Sequence, residues 1–398
     1  MPPLNSAGTY FSAMPKCECQ LVSWKNRSAC RLSNGSIEIT ILFGGGHIAD
    51  FRLAGSPLNT LWESPWETID PHTFSLAEHG AVYGEGIAGK FLSGYTGHAL
   101  ALGYFGMPSP DEAAQGLPLH GEAASAEWTA VATEQGEDFA SLTLEVELPV
   151  YTLRFRRKIT MRANALTAAI DESVVNRSDA EIVLQWVEHA AFGEPFYTKA
   201  DASLFVPVCR ARTWPIGYEG HELLPSDMEF EWPDAATVDG RRVDLTIPFV
   251  QDGTGFVASL LIPPERSHAY IAIHNRRHGL VAGYSFERSR FPWIALWEEN
   301  HARSYAPWNG ITRARGVEFG TSPMPLGLDQ AREMRVLYDT PVLATIPPNS
   351  QLNAAYEMFV SQVPLSWKSI SDVVPSDGGL VIRNEAGEIQ IKSSRNRL

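Results

Sequence analysis

Three side chains in this sequence could move a proton near neutral pH. Glu318 lies in Gly316-Val317-Glu318-Phe319-Gly320-Thr321-Ser322-Pro323, after a strand-like run and before a proline-rich turn. A carboxylate among small and apolar residues is either paired or working. Such a residue only ties down a turn about as often as it does chemistry. Two histidines far upstream change the balance. They are His120 in Gly116-Leu117-Pro118-Leu119-His120-Gly121 and His189 in Gln185-Trp186-Val187-Glu188-His189-Ala190-Ala191-Phe192-Gly193. A base, an acid and a second polar ring, each embedded in an apolar strand, suit proton traffic on a small molecule.

Other candidate motifs carry less. Gly44-Gly45-Gly46-His47 lacks the Lys-Ser/Thr of a phosphate loop and reads as a sharp bend between strands. His274-Asn275-Arg276-Arg277-His278 has helical metal spacing, but it sits between two strand runs and ends at Gly279, which is a hairpin turn. Cys17-Glu18-Cys19 has no second Cys/His pair at zinc spacing, so no metal is expected. The sequence holds neither a Gly-x-Ser-x-Gly nucleophile elbow nor a His-Glu-x-x-His metalloprotease motif.

The elements that must position these side chains are strands. In Ser141-Leu142-Thr143-Leu144-Glu145-Val146-Glu147-Leu148 apolar and polar residues alternate, and the pattern resumes over 151–159 after Pro149. The same period marks 36–43, 167–175, 182–187, 243–248, 255–262, 269–274, 280–286, 293–297, 335–338 and 352–360. Asn34-Gly35, Asp239-Gly240, Asp252-Gly253 and Asn309-Gly310 supply turns. Amphipathic helices are nearly absent. More than half of the ordered residues should be strand, in a large two-sheet sandwich. Two irregular stretches interrupt the alternation. Residues 56–98 hold Trp62, Trp66, His72, His79 and Tyr83, and residues 207–236 hold Trp214, Tyr218, His221 and Trp232. Long irregular segments in a compact domain are usually functional, and aromatic rings on them can stack a sugar face.

The chain has 398 residues, 44% hydrophobic and 20% charged, as expected of an ordinary globular protein. Residues 1–15 read as a loose segment, 16–370 as a single domain, and 371–398 as a hairpin extension with a basic tail. The formal net charge is -14, from 32 basic and 46 acidic residues, with no basic stripe, so nucleic acid is not an expected partner. No signal-peptide core or membrane-length apolar run is visible, which makes the expectation cytoplasmic, with no membrane partner. The four cysteines are too few for a disulfide scaffold and read as reduced thiols. Oligomeric state is not legible.

Several segments, in the same order, resemble the aldose 1-epimerase (galactose mutarotase-like) family. Gly116-Leu117-Pro118-Leu119-His120-Gly121-Glu122 followed by Trp128 resembles its Leu-His-Gly…Trp segment. Val175-Asn176-Arg177-Ser178-Asp179 with the strand ending His189-Ala190-Ala191-Phe192 resembles its Asn-x-Ser…His-x-x-Phe segment. Gly316-Val317-Glu318 with Thr321 and Pro323 resembles the segment of its catalytic Glu. The stretch Gly45-Gly46-His47-Ile48-Ala49-Asp50-Phe51-Arg52-Leu53 and the run Phe291-Pro292-Trp293-Ile294-Ala295-Leu296-Trp297 fit as well, so the likeness spans about residues 35–360.

The resemblance implies an all-β supersandwich with a sugar cleft on its concave face and no cofactor. It implies acid–base anomer interconversion of a free aldose or small saccharide. His189 matches the general acid, Glu318 the general base and His120 the binding His. Trp297 and Asp252 are candidates for further sugar contacts. A bell-shaped pH profile is expected, with Glu318 setting its acidic limb and His189 its basic limb. Two alternatives stay open. One is a non-catalytic carbohydrate-binding protein, since a fold does not fix a function. The other is an epimerase of a sugar phosphate clamped by Arg241-Arg242 or Arg276-Arg277.

Overall fold

The computed structural model describes residues 17–395. The N-terminal segment 1–15 and the end of the basic tail, 396–398, lie outside the described residues. Strand accounts for 46% of residues and helix for 9%, so the architecture is all-β, just short of the half expected as strand.

Two large antiparallel sheets face each other. The larger begins at an edge hairpin, Glu18–Trp24 with Arg27–Ser33, and continues through Ile37–Leu42, Ile48–Leu53 and His98–Gly103. Its centre is Ile182–Phe192, Arg313–Gly320, Trp293–Asn300 and Thr254–Leu261. The smaller sheet runs Ala202–Phe205, His268–Asn275, Leu280–Glu287, Gln351–Gln362, Thr167–Asn176, Leu153–Arg162, Phe139–Leu148 and Thr129–Gln135. Side chains alternate across each strand, so one face of each sheet looks into the space between them. There Leu184, Ile294, Leu296, Val317 and Phe319 meet Ile159, Ile170, Ile271 and Met358 in one buried cluster. Phe319 stacks on Phe286 of the other sheet at 4.4 Å between ring centroids. Burying each such side chain is worth about 1.5–3 kcal/mol, so this interior holds the sheets together.

A polar island crosses the same interior. Arg157 donates to Glu172 at 2.6 Å and to Glu188 at 3.0 Å. Glu188 also accepts from Trp186 Nε1 at 2.7 Å and Tyr356 at 3.1 Å, and lies 2.8 Å from His98 Nε2. Tyr284 meets the other His98 nitrogen at 3.1 Å. Burial, then the neighbouring Glu188, pushes the Glu172 carboxyl up to about 8.

Most expected strands are present, and the Gly44–His47 bend and the 274–278 hairpin turn stand where the sequence put them. Two strand expectations are corrected. Of 243–248 only the short strand Arg242–Asp244 forms, paired with Asp234–Ala236. Residues 335–338 follow a helix, Gly327–Met334, and only Val336–Leu337 pairs, with Thr340–Pro341. The C-terminal hairpin gains a third strand, Asp372–Ser376, beside Gly379–Asn384 and Gly387–Lys392. Trp367, Val373, Leu380 and Ile382 pack this small sheet onto Tyr270, Ala272 and Phe359.

Candidate functional site

Register decides which side chains meet on the outer face of the larger sheet. The Ile182–Phe192 and Arg313–Gly320 strands pair Glu188 with Phe319 and Ala191 with Gly316, which sets His189 opposite Glu318. Ala99 faces His189 from one side, and Ala295 faces Glu318 from the other. Small neighbours leave an open floor around the two groups. A Cβ on Gly316 would stand 2.0 Å from Glu318 Oε1, so a larger residue there would push the carboxyl aside. Glu318 lies inside its strand, where the sequence had suggested a place just after one.

His189 Nε2 stands 3.3 Å from Glu318 Oε1. The contact is close but not aligned as a hydrogen bond, and Glu318 Oε1 is buried without a hydrogen-bond partner. On its other side His189 Nδ1 meets the Tyr95 hydroxyl at 3.1 Å. Burial dominates the electrostatics. It pushes the Glu318 carboxyl well above the usual carboxylate range and the His189 imidazole down to about 3. Both shifts favour the neutral forms, with the proton on the carboxyl rather than on the imidazole. These directions run against the expected assignment of the acidic limb to Glu318 and the basic limb to His189.

His120 arrives from a loop. Its backbone N–H donates to Gly106 O at 3.0 Å, and the Gly106 N–H donates to His120 Nδ1 at 3.2 Å. An acceptor Nδ1 in a neutral imidazole puts the proton on Nε2, as a donor. Burial, then the nearby His189, holds the His120 pKa well below its usual value, which keeps the ring neutral. His120 takes φ +66°, a costly conformation for a non-glycine residue and one that clusters at functional sites. Gly121 follows at φ +85°, where a Cβ would meet Leu102 O at 2.1 Å. The His120 and His189 rings lie 4.8 Å apart.

These groups open into a cavity of about 630 Å³, within the ~300–1,000 Å³ common for small-molecule sites. His120, His189, Glu318 and Trp297 all line it. Trp297 is held by a 2.8 Å hydrogen bond from its Nε1 to Tyr218. Asp252 does not join them. It is 67% exposed and paired with Arg313 at 2.7 Å, so a sugar contact from it is corrected by its position. Of the aromatic and His residues singled out in 56–98 and 207–236, Trp214 and Tyr218 line the cavity. Trp62 packs behind Tyr95 at 5.1 Å, and Trp232 packs against the main core. The sequence reading did not single out Phe91, Tyr95, Phe105, Arg303, Tyr305 and Trp308, which also line it. The signal available for Phe91 and Tyr95 was their place in an aromatic-rich irregular stretch. Among the described residues no cluster of His, Cys, Asp and Glu could hold a metal, and no helix is long and apolar enough to cross a membrane.

No family profile matches the chain, and no curated protein does. Solved structures do match. A provisional aldose 1-epimerase from Klebsiella pneumoniae superposes with a TM-score of 0.62 at 15% identity, covering 88% of this chain and 84% of that one. A galactose mutarotase-like protein from Clostridium acetobutylicum gives 0.57 at 13%, covering 88% and 99%. A galactose mutarotase related enzyme from Lactobacillus acidophilus gives 0.52 at 12%, covering 84% and 98%. The fold is the galactose mutarotase-like sandwich. At these identities the likeness speaks for the mutarotase-like fold alone, and the chemistry has to be argued from this chain's own cavity.

Proposed function

We propose that this chain is an isomerase of the aldose 1-epimerase kind, interconverting the anomers of a neutral aldose or small saccharide without a cofactor. The observation that carries the reading is the buried His189–Glu318 pair, 3.3 Å apart, at the floor of an aromatic cavity with His120 beside it.

Opening a pyranose moves one proton from the anomeric hydroxyl to the ring oxygen, and closing the ring on its other face returns it. A pair that shares one proton can do both. In the free cavity the proton rests on Glu318. When His189 Nδ1–H donates to Tyr95, Nε2 offers a lone pair to that carboxyl. Sugar hydroxyls that donate to the carboxylate favour its ionised form, and the proton then passes to Nε2. Glu318 so becomes the base at the anomeric hydroxyl and His189 the acid at the ring oxygen. His120 Nε2–H binds a sugar oxygen and stabilises developing charge. Acid and base steps of this kind each contribute roughly 10²- to 10⁴-fold.

A sugar phosphate fits less well. Arg241 and Arg242 sit on an exposed hairpin, paired with Asp239 and Asp234. The guanidinium that lines the cavity, Arg303, is paired with Glu219 and Glu299.

Saturation-transfer NMR across neutral aldoses tests the reading. The wild type should accelerate anomer exchange of at least one of them, and Glu318→Gln should lower that rate by about 10²-fold or more while sugar still binds. Full exchange by Glu318→Gln would overturn the assignment. Binding without exchange in the wild type would leave a carbohydrate-binding protein.

A further inference from the structure

Three of the four cysteines gather at the edge hairpin of the larger sheet, Glu18–Trp24 with Arg27–Ser33, and all four are free thiols. In the hairpin register Cys19 pairs with Leu32 and Leu21 with Cys30, so Cys19 and Cys30 stand diagonally on one face. Their Sγ atoms are 2.9 Å apart. A disulfide needs ~2.05 Å, so the pair is about 0.9 Å short of a bond, a gap that side-chain rotation can close. The two thiols differ in access. Cys30 is buried in the main core, whereas Cys19 is partly exposed. The hydrogen bond from Cys30 holds the Cys19 thiol below its ordinary pKa, and the same bond, then burial, pushes Cys30 up. Cys19 is thus the nucleophile of the pair. Cys17 is buried against Ala140 and Ala163, and burial raises its thiol. Cys209 is exposed at the other end of the same sheet, just before the strand Arg210–Thr213.

The hairpin is also tied to the cavity. Arg27, on the same strand as Cys30, donates to Asp70 at 2.9 Å, to Gly94 O at 2.8 Å and to Gly44 O at 2.8 Å. Gly94 ends the helix Gly89–Gly94, which carries Phe91 and leads into Tyr95, both in the cavity wall. The first strand of the hairpin is a sheet edge, paired on one side only. We propose that Cys19 and Cys30 are a reversible thiol–disulfide site that staples this edge hairpin, with a low-molecular-weight disulfide as the oxidant. The Cys19 thiolate attacks one sulfur of that disulfide. A mixed disulfide forms, and the other half leaves as a thiolate that takes up the proton Cys19 lost. Cys30 then gives up its proton and attacks Cys19 Sγ, and the second half leaves as a thiol. Two protein thiols are oxidised and one small disulfide is reduced to two thiols. The staple fixes the strand that carries Arg27, and with it the anchor of the cavity wall. The site does not depend on the reaction proposed for His189 and Glu318.

Thiol mapping of the full chain tests it. The protein is incubated with oxidised glutathione and quenched with acid, its free thiols are alkylated, and the peptides are mapped by mass spectrometry. Cys19 and Cys30 should become linked to each other, Cys17 should stay a thiol, and Cys209 should form at most a mixed disulfide with glutathione. Dithiothreitol should restore both thiols of the pair. Cys30→Ser should leave on Cys19 the glutathione that the wild type displaces, and Cys19→Ser should leave Cys30 unmodified. In the oxidised wild type, amide hydrogen exchange over 27–33 should slow by about tenfold or more. A wild type that ends without a Cys19–Cys30 link, or that links Cys17 to Cys19 instead, would overturn the proposal. A link that leaves exchange over 27–33 unchanged would overturn the staple. Both readouts come from the wild type, so they decide the matter even where a Ser variant does not fold.

Discussion

Glu188 and His189 are consecutive residues of one strand, and they stand on opposite faces of it in two buried acid–imidazole clusters. On the inner face Glu188 gathers Trp186, Arg157, Tyr356 and His98, so both its oxygens are satisfied. On the outer face Glu318 has His189 at 3.3 Å, an oxygen with no aligned donor, and a cavity above it. Burial and residue type are nearly the same in both. What differs is completion. A buried carboxylate with both oxygens engaged, as Glu188 has, stabilises and rigidifies, whereas one with an open valence beside a cavity is fit for a ligand.

The contrast can be broken from either side. The largest effect is expected on the inner face. Glu188→Ala leaves Arg157 and His98 without their carboxylate and should cost about 3–5 kcal/mol of stability, read as a lower denaturant midpoint. An unchanged midpoint would mean that the island does not hold the sheets. Next comes Gly316→Ala, which forces the Glu318 carboxyl aside. It should reduce anomer exchange by up to about 10²-fold, since misplacing a reacting group by about 1 Å is enough for that. Retained exchange would show that the observed place of the carboxyl is not needed.

A smaller effect concerns stability against pH. Glu318 is raised when folded, so its contribution is complete below about 4.3 and is lost as pH rises towards its folded value. His189 is lowered to about 3, so its contribution is complete above about 6.5 and is lost as pH falls towards 3. Glu318→Gln removes the first dependence. Its melting temperature should therefore gain on the wild type as pH rises above about 4.3, and parallel curves would contradict a raised Glu318. The smallest effect is in the rate profile. kcat/KM should stay flat from about pH 4 upward until Glu318 loses its proton, with no step near the usual histidine value. A clear step at about 6.5 would place the titrating His189 in water rather than in the folded pair.

The sequence made the sheets legible because period two survives wherever one face is buried and the other is not. It also brought His120, His189, Glu318 and Trp297 to one site, through ordered segments that resemble a known family. Other features depend on tertiary contacts. Arg335, at φ +54°, ends a helix that a short apolar run had disguised as strand. The Glu18–Trp24 and Arg27–Ser33 hairpin turns on Lys25 and Asn26, both at positive φ, a two-residue signal without the usual glycine. Asp252 failed as a site residue because its other reading, an Asp-Gly turn, is the one the chain uses, with Gly253 at φ +75°. Tyr95, Trp214 and Trp308 have no period to announce them, because the partners that aim them at the cavity come from distant loops.

One consequence of the strand register concerns insertions and deletions. The ladder alone decides that His189, and not Glu188, looks into the cavity. Removing or adding one residue early in the Ile182–Phe192 strand would turn it over, putting the carboxylate in the cavity and the imidazole among the core polar groups. Length changes there would be lost on both counts at once, through chemistry and through stability. The loops that carry Met107, Trp214, Ile216 and Tyr305 have no such constraint. Descendants of this chain could therefore change their ligand by lengthening the rim while the floor stays the same.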